Sequence, residues 1–87
     1  MAGGYHLTDI EKGKLGESSK ILEEVMELID AEQQAVKIMA LVELSDLVGA
    51  IEAYLENHHP GTTLDDLKKM SQVTKRAFQV GERVSDA

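Results

Sequence analysis

Between Glu17 and Asn57 the chain reads ESSKILEEVMELIDAEQQAVKIMALVELSDLVGAIEAYLEN, a stretch with no proline and a single glycine, Gly49. Its apolar residues are Leu, Ile, Val, Met and Ala, most of them good helix formers, and aromatics make up only 3% of the whole chain. The segment is therefore predicted to be helical. As one rod it would run about 60 Å at 1.5 Å per residue, against a radius of gyration of about 12 Å for a compact domain of this size. It is expected to fold back as a hairpin. No Gly or Pro marks the turn, but the apolar pattern lapses at Glu32-Gln33-Gln34, which puts the bend near residue 35.

Outward from this segment the chain-breaking residues are segregated. Gly3, Gly4, Gly13 and Gly16 lie before it, Pro60-Gly61 after it and Gly81 near the end. Residues 1–15 are expected to be a flexible arm and residues 16–87 a single all-α domain. Pro60-Gly61 stops the second helix, and Thr62 or Thr63 ahead of Leu64-Asp65-Asp66 has the form of an N-cap with acids in the first turn. The last helix is predicted from Leu64 to Val80. Along it Leu64, Leu67, Met70, Thr74, Phe78 and Gly81 recur at three- and four-residue steps, a packing stripe. The chain shows no internal repeat and no low-complexity tract.

Eighty-seven residues provide one core, and three helices with little aromatic bulk bury limited surface alone, so an intersubunit core is physically reasonable. Nine basic residues against sixteen acidic ones give a net charge of -7, which argues against a nucleic-acid polymer or an anionic membrane as the main partner and favours cations. The absence of cysteine excludes disulfides, a thiolate nucleophile and a cysteine zinc site. The longest apolar run, Ile38 to Val42, is far short of the roughly 20 residues a bilayer needs, and the first sixteen residues lack a signal peptide's apolar stretch. A cytoplasmic address is expected.

The acidity belongs to the hairpin, which holds ten acids against Lys20 and Lys37. Residues three apart lie side by side on a helix, so Glu24 with Glu27, and Glu43 with Asp46, form two carboxylate pairs. A turn centred on residue 35 sets Glu24 opposite Asp46 and Glu27 opposite Glu43. Glu43 is embedded in Ile38-Met39-Ala40-Leu41-Val42 and Leu44, and helical geometry puts Met39, Val42, Ala50 and Ala53 on its side. An unpaired carboxylate on an apolar face costs several kcal/mol or takes up a proton, whereas a bound cation removes the penalty. Two facing pairs suit a divalent metal. The bland alternative, an ordinary solvated acidic face, describes Glu23, Glu24 and Glu27 taken alone.

Glu23-Glu24-Val25-Met26-Glu27, fifteen intervening residues, then Glu43-Leu44-Ser45-Asp46 is similar to the signature of the MazG-like all-α nucleoside triphosphate pyrophosphohydrolases. The likeness covers about Gly16 to Leu55, and the short form with one further helix resembles small bacterial and phage-borne members. It implies a helical hairpin plus C-terminal helix that assembles as a homodimer or homotetramer around an intersubunit four-helix bundle, in the bacterial or host cytoplasm. It implies hydrolysis of (d)NTP between the α and β phosphates, dependent on Mg2+ or Mn2+, giving (d)NMP and pyrophosphate in nucleotide-pool control. A purine or dGTP preference follows from the same likeness. By position Glu24, Glu27, Glu43 and Asp46 would be metal ligands, and Glu23, with Glu24 sharing the role, would orient or deprotonate the attacking water. Hard oxygen donors suit such ions, which bind through carboxylates together with substrate phosphates. No phosphate-cradling loop is needed, and Gly13-Lys14-Leu15-Gly16 lacks the spacing and ending of one.

Among other residues, Lys20 precedes Glu24 by one turn on the same side and Lys12 and Lys14 precede the helix, so Lys20, Lys14 and Lys12 are candidates for phosphate contact, with solvated lysine as the alternative. Lys75, Arg76 and Arg83 are read as solvated charge, and His58 and His59 beside Pro60 as loop residues. Asn57 either reads a base or sugar, or caps the second helix at its C-terminus; the cap is the preferred reading. Tyr54 is assigned to core or interface packing, and Tyr5 to either packing or stacking on a base. The competing functional reading is a non-catalytic helical dimerisation or adaptor module. A third is a metal-binding bundle without nucleotide chemistry.

Overall fold

The computed structural model describes residues 7–85, with side chains described through Lys75. The architecture is all-helical: α1 (Ser18–Gln33), α2 (Lys37–His58) and α3 (Leu64–Ser85), with no strand among the described residues. α1 and α2 form the expected hairpin. Three residues join them, and the bend is centred where the polar lapse placed it. Gln34 and Ala35 donate backbone N–H groups to the carbonyls of Asp30 and Glu32 at 3.1 and 3.0 Å, closing α1, while Ala40 donates to Val36 at 3.2 Å and opens α2. The chain reverses by putting Ala35 at φ 59°, the left-handed region that usually belongs to glycine. This explains why no glycine announced the turn.

Few apolar side chains fill the hairpin. Among the described residues the buried apolar ones are Ala31, Ala50 and Leu55, whereas Glu23, Glu24, Asp30 and Glu43 are buried carboxylates. The interior thus depends on how acids are neutralised as much as on hydrocarbon. Larger apolar residues face outward: Leu22, Met26 and Ile29 form an i, i+4, i+7 stripe on α1, and Ile38, Leu41, Leu44 and Val48 are exposed along α2.

Residues 7–14, expected as part of an arm, lie against α1 without regular structure. Leu7 and Thr8 bond Asp30, and the backbone N–H of Gly13 donates to Glu23 at 2.8 Å. At the other end of the hairpin His59 donates its N–H to Leu55 at 2.7 Å, Gly61 takes φ 93°, and Thr62 bonds back to His59 at 3.0 Å. Of the two threonines, Thr63 is the cap. Asp66 donates its N–H to the Thr63 hydroxyl at 3.2 Å, and the Asp66 carboxylate accepts the Thr63 N–H at 2.9 Å. This is a reciprocal capping box with aspartate in the usual glutamate place.

α3 continues to Ser85, five residues beyond the predicted end at Val80. Gly81 therefore lies inside the helix, where glycine costs only about 1 kcal/mol and need not end it. Of its stripe, Leu64 and Leu67 are half-buried, but Met70 is 61% exposed and Thr74 is also exposed. Phe78 and Gly81 lie outside the described side chains. The half-buried residues among those described in α3 lie at its start, and the molecule has extents of 50 × 34 × 20 Å and a radius of gyration of 16.2 Å, well above the roughly 12 Å of a compact domain this long. No helix among the described residues is long and apolar enough to cross a membrane.

Candidate metal centre

α1 turns Glu23, Glu24 and Glu27 toward one another, and the hairpin sets Glu43 and Asp46 of α2 against them. Two groups result, Glu23 with Glu24 and Glu27, and Glu24 with Glu43 and Asp46, each offering one carboxylate oxygen per residue within 4.8 Å of the others. Trans ligands of an octahedral Mg2+ lie about 4.2 Å apart, so these separations are of coordinating size. Glu24 is common to both groups. Glu23, Glu24 and Glu43 are buried, Glu27 is half-buried and Asp46 is exposed, which leaves the centre open on the Asp46 side.

The carboxylates are not equivalent. Glu23 is engaged on both oxygens: Oε1 accepts the Gly13 N–H and lies 3.2 Å from the Lys20 ammonium, and Oε2 lies 3.6 Å from that of Lys12. Burial pushes its pKa up, but the Gly13 N–H, the Lys20 ammonium and a hydrogen bond with Glu27 outweigh it and hold Glu23 below the usual glutamate value. Glu27 is displaced the opposite way. Burial, then the charge of Glu24, the hydrogen bond with Glu23 and the charge of Glu43 all raise it. Glu24 pairs one oxygen, Oε2, with Lys20 at 3.2 Å; its other oxygen, Oε1, is buried with no hydrogen-bond partner among the described residues. A buried anionic oxygen without a donor is costly, and a hard cation supplies what the protein does not. A set of carboxylate oxygens of this kind could hold a hard metal ion.

Asp30, one turn beyond Glu27, is an acid that the sequence did not single out. Its carboxylate accepts the N–H groups of Leu7 and Thr8, the Thr8 hydroxyl and the Gln34 amide at 2.7 to 3.1 Å. Burial raises its pKa, but these donors outweigh it and hold it at about 2. The available signals were its three-residue spacing from Glu27 and its four-residue spacing from Gln34; its other partners, Leu7 and Thr8, are distant residues with no periodicity to reveal them.

The predicted phosphate contacts separate. Lys20 is drawn into the acidic centre between Glu23 and Glu24. Lys14 is exposed, and with Asn57, Gly16 and Ala53 it lines an open hollow of about 480 Å³ where the start of α1 meets the end of α2; none of the four candidate ligands lines it. Lys75 is exposed, and the Arg76 and Arg83 side chains, like Tyr5, lie outside the described residues.

Asn57 requires a correction. It does not cap α2, which runs one residue further and closes through His59; its amide donates to the Gly16 carbonyl at 3.1 Å and to Glu17 Oε2 at 2.9 Å. It ties the end of α2 to the start of α1. Gly16, buried with φ 92°, takes a left-handed conformation that side chains rarely adopt, and a Cβ there would lie 3.4 Å from the Asn57 amide nitrogen. His58 is the last residue of α2 and not a loop residue, and its Nε2 lies 3.3 Å from Glu17 Oε1. The half-buried Tyr54 ring packs on His58, with centroids 4.4 Å apart.

No protein-family model, curated protein or solved structure matches this chain.

Proposed function

We propose that the protein is a nucleotide pyrophosphohydrolase that uses Mg2+ or Mn2+ to cleave a nucleoside or deoxynucleoside triphosphate between the α and β phosphates, giving the monophosphate and pyrophosphate. The observation that carries this reading is the convergence of Glu24 from one helix with Glu43 and Asp46 from the other, with Glu27 joined to Glu24 in the adjoining group, around a buried Glu24 oxygen that has no hydrogen-bond partner among the described residues. The likeness of the two acidic motifs to MazG-like enzymes supplies the reaction. Purine or dGTP preference rests on that likeness alone.

Glu24, Glu27, Glu43 and Asp46 would hold the metal, which when bound neutralises phosphate charge and favours in-line attack on the α phosphorus. Glu23, engaged on both oxygens and lowered in pKa, is a poor proton acceptor, so the water-orienting role shifts toward Glu24. Lys20 is the cation nearest this centre and the strongest candidate for phosphate contact. Lys14 and Asn57, beside a separate hollow, would act on a part of the substrate away from the reacting phosphorus.

The apolar stripes Leu22-Met26-Ile29 and Ile38-Leu41-Leu44-Val48 support an assembly in which a second copy covers the hairpin and completes a four-helix core. A non-catalytic dimerisation module would account for those stripes equally, but gives no reason to bury carboxylates side by side.

The test is release of monophosphate and pyrophosphate from a panel of ribo- and deoxynucleoside triphosphates with Mg2+, Mn2+ or EDTA, repeated with Glu43→Gln. Metal-dependent formation of both products, abolished in the folded variant, is the expected result. Silence across the panel would leave the dimerisation module, and hydrolysis unchanged by Glu43→Gln would remove these acids from the chemistry.

A further inference from the structure

Lys20 balances the charge of the acidic centre. Its ammonium lies 3.2 Å from Glu23 Oε1 and 3.2 Å from Glu24 Oε2, and its side chain is 26% exposed. A lysine paired with a neighbour on an open helix surface gains little and gives up side-chain freedom. Lys20 differs because the carboxylates it bridges are themselves 2% and 6% exposed, so water is poorly placed to take over its role. Burial works against its charge, but hydrogen bonds and charge from Glu24 and Glu23 outweigh this and hold its pKa above the ordinary lysine value.

Glu24 has a second allegiance. It belongs to the group with Glu43 and Asp46, and its buried Oε1 has no hydrogen-bond partner among the described residues. An ammonium on Oε2 and a divalent ion bound by that group therefore draw on one carboxylate. A cation of charge two among three carboxylates outcompetes a single ammonium held by a flexible four-carbon stem.

We propose that Lys20 is a tethered counter-ion that keeps the place of a divalent cation at Glu24 and is displaced when that cation binds. The inference rests on the metal reading of the acidic centre. In the metal-free protein the lysine limits repulsion among buried acids. In the metal-bound protein its ammonium is released beside the site, available to an anionic ligand. Lys12 is the built-in contrast: it approaches Glu23 alone, at 3.6 Å, and is 76% exposed.

Mn2+ binding to the full chain, titrated by electron paramagnetic resonance for wild type, Lys20→Met and Lys12→Met, with circular dichroism to verify folding, tests this exchange. Lys20→Met is expected to bind Mn2+ about fivefold tighter or more, the lower end of ordinary coupling between linked ligands, and Lys12→Met to change clearly less. A second measurement uses wild type alone: brief amine acetylation read by mass spectrometry, in which saturating Mg2+ is expected to speed modification of Lys20 but not of Lys37 or Lys69. Equal or weaker Mn2+ binding by Lys20→Met, an identical gain in Lys12→Met, or Lys20 reactivity indifferent to bound Mg2+ would overturn the inference and leave the metal centre standing. Absence of Mn2+ binding in all three proteins would overturn the metal reading together with it. If Lys20→Met does not fold, the acetylation result decides.

Discussion

Leu7 donates its backbone N–H to both carboxylate oxygens of Asp30, at 3.0 and 2.8 Å, across twenty-three positions of sequence. Thr8 adds its own N–H and hydroxyl to the same carboxylate, so one buried side chain near the end of α1 fastens the start of the segment that also meets Glu23 through Gly13. Asp30 thereby links the N-terminal strap to the helix that carries most of the acidic centre.

That link is pH-dependent with a definite sign. The folded pKa of Asp30, about 2, lies below its ordinary 3.8, so its stabilisation is complete above the ordinary value and is lost as pH falls through the folded one. The amide proton resonances of Leu7 and Thr8 are expected to hold steady down to about pH 3 and then move together, as the carboxylate protonates in the folded protein at about pH 2. Asp30→Asn, which offers one acceptor oxygen in place of two, should show altered resonances at those two amides already at neutral pH. Unchanged shifts would mean that the strap is held by other contacts.

Glu27 has the opposite sign. Its folded pKa lies above the ordinary 4.5, so the ionised form is disfavoured by folding: the penalty is absent below the ordinary value and grows as pH rises through the folded one. In metal-free protein at neutral pH, Glu27→Gln should therefore stabilise the fold by about 0.5 kcal/mol or more, an increase in Tm of about 2–4 °C. Added Mg2+ should raise the Tm of wild type and have less effect on the variant. Differential scanning calorimetry with and without the metal reads both effects.

The Thr63–Asp66 capping box predicts a local defect. Thr63→Ala removes the hydroxyl that accepts the Asp66 N–H and should cost about 1 kcal/mol. Because the described residues of α3 that are half-buried, Leu64, Asp66 and Leu67, lie at its start, the loss should register in helical circular dichroism and in amide exchange of residues 64–67, while Mn2+ affinity stays at its wild-type value. A fall in that affinity would show that α3 supports the acidic centre.

Leu41 is 61% exposed on the outer side of α2. In an assembly that buries this stripe, Leu41→Glu places a charge in an apolar contact and should shift the protein to monomer in sedimentation velocity without loss of helicity. A wild-type protein that is monomeric at micromolar concentration would exclude the four-helix assembly outright.

The hairpin was legible because two independent signs agreed on its turn: a lapse in apolar residues at Glu32-Gln33-Gln34 and a symmetry of acids about residue 35. The juxtaposition of Glu24 with Glu43 and Asp46 follows from that symmetry and helical spacing. The pairing of Lys20 with both glutamates was equally open to spacing rules, since three and four residues separate them, yet its effect depends on burial that only the folded strap and α2 create. The Asn57–Gly16 bond spans forty-one positions and joins two helix ends, and the contacts of Leu7 and Thr8 with Asp30 come from a segment without periodicity. Neither leaves a local pattern. The end of α3 was missed for a different reason, because a single glycine weakens a helix by less than neighbouring good formers sustain it.

Three residues connect α1 to α2, and this short link works like a gear. One residue added between the turn and Glu43 would rotate every later side chain of α2 by about 100°, carrying Glu43 and Asp46 out of phase with Glu24 in a single step. Lengths that restore the phase come in increments of about seven residues shared between the two helices, each moving the acids about 5 Å further from the bend. The interval between the two acidic motifs is thus a quantised dimension of the molecule.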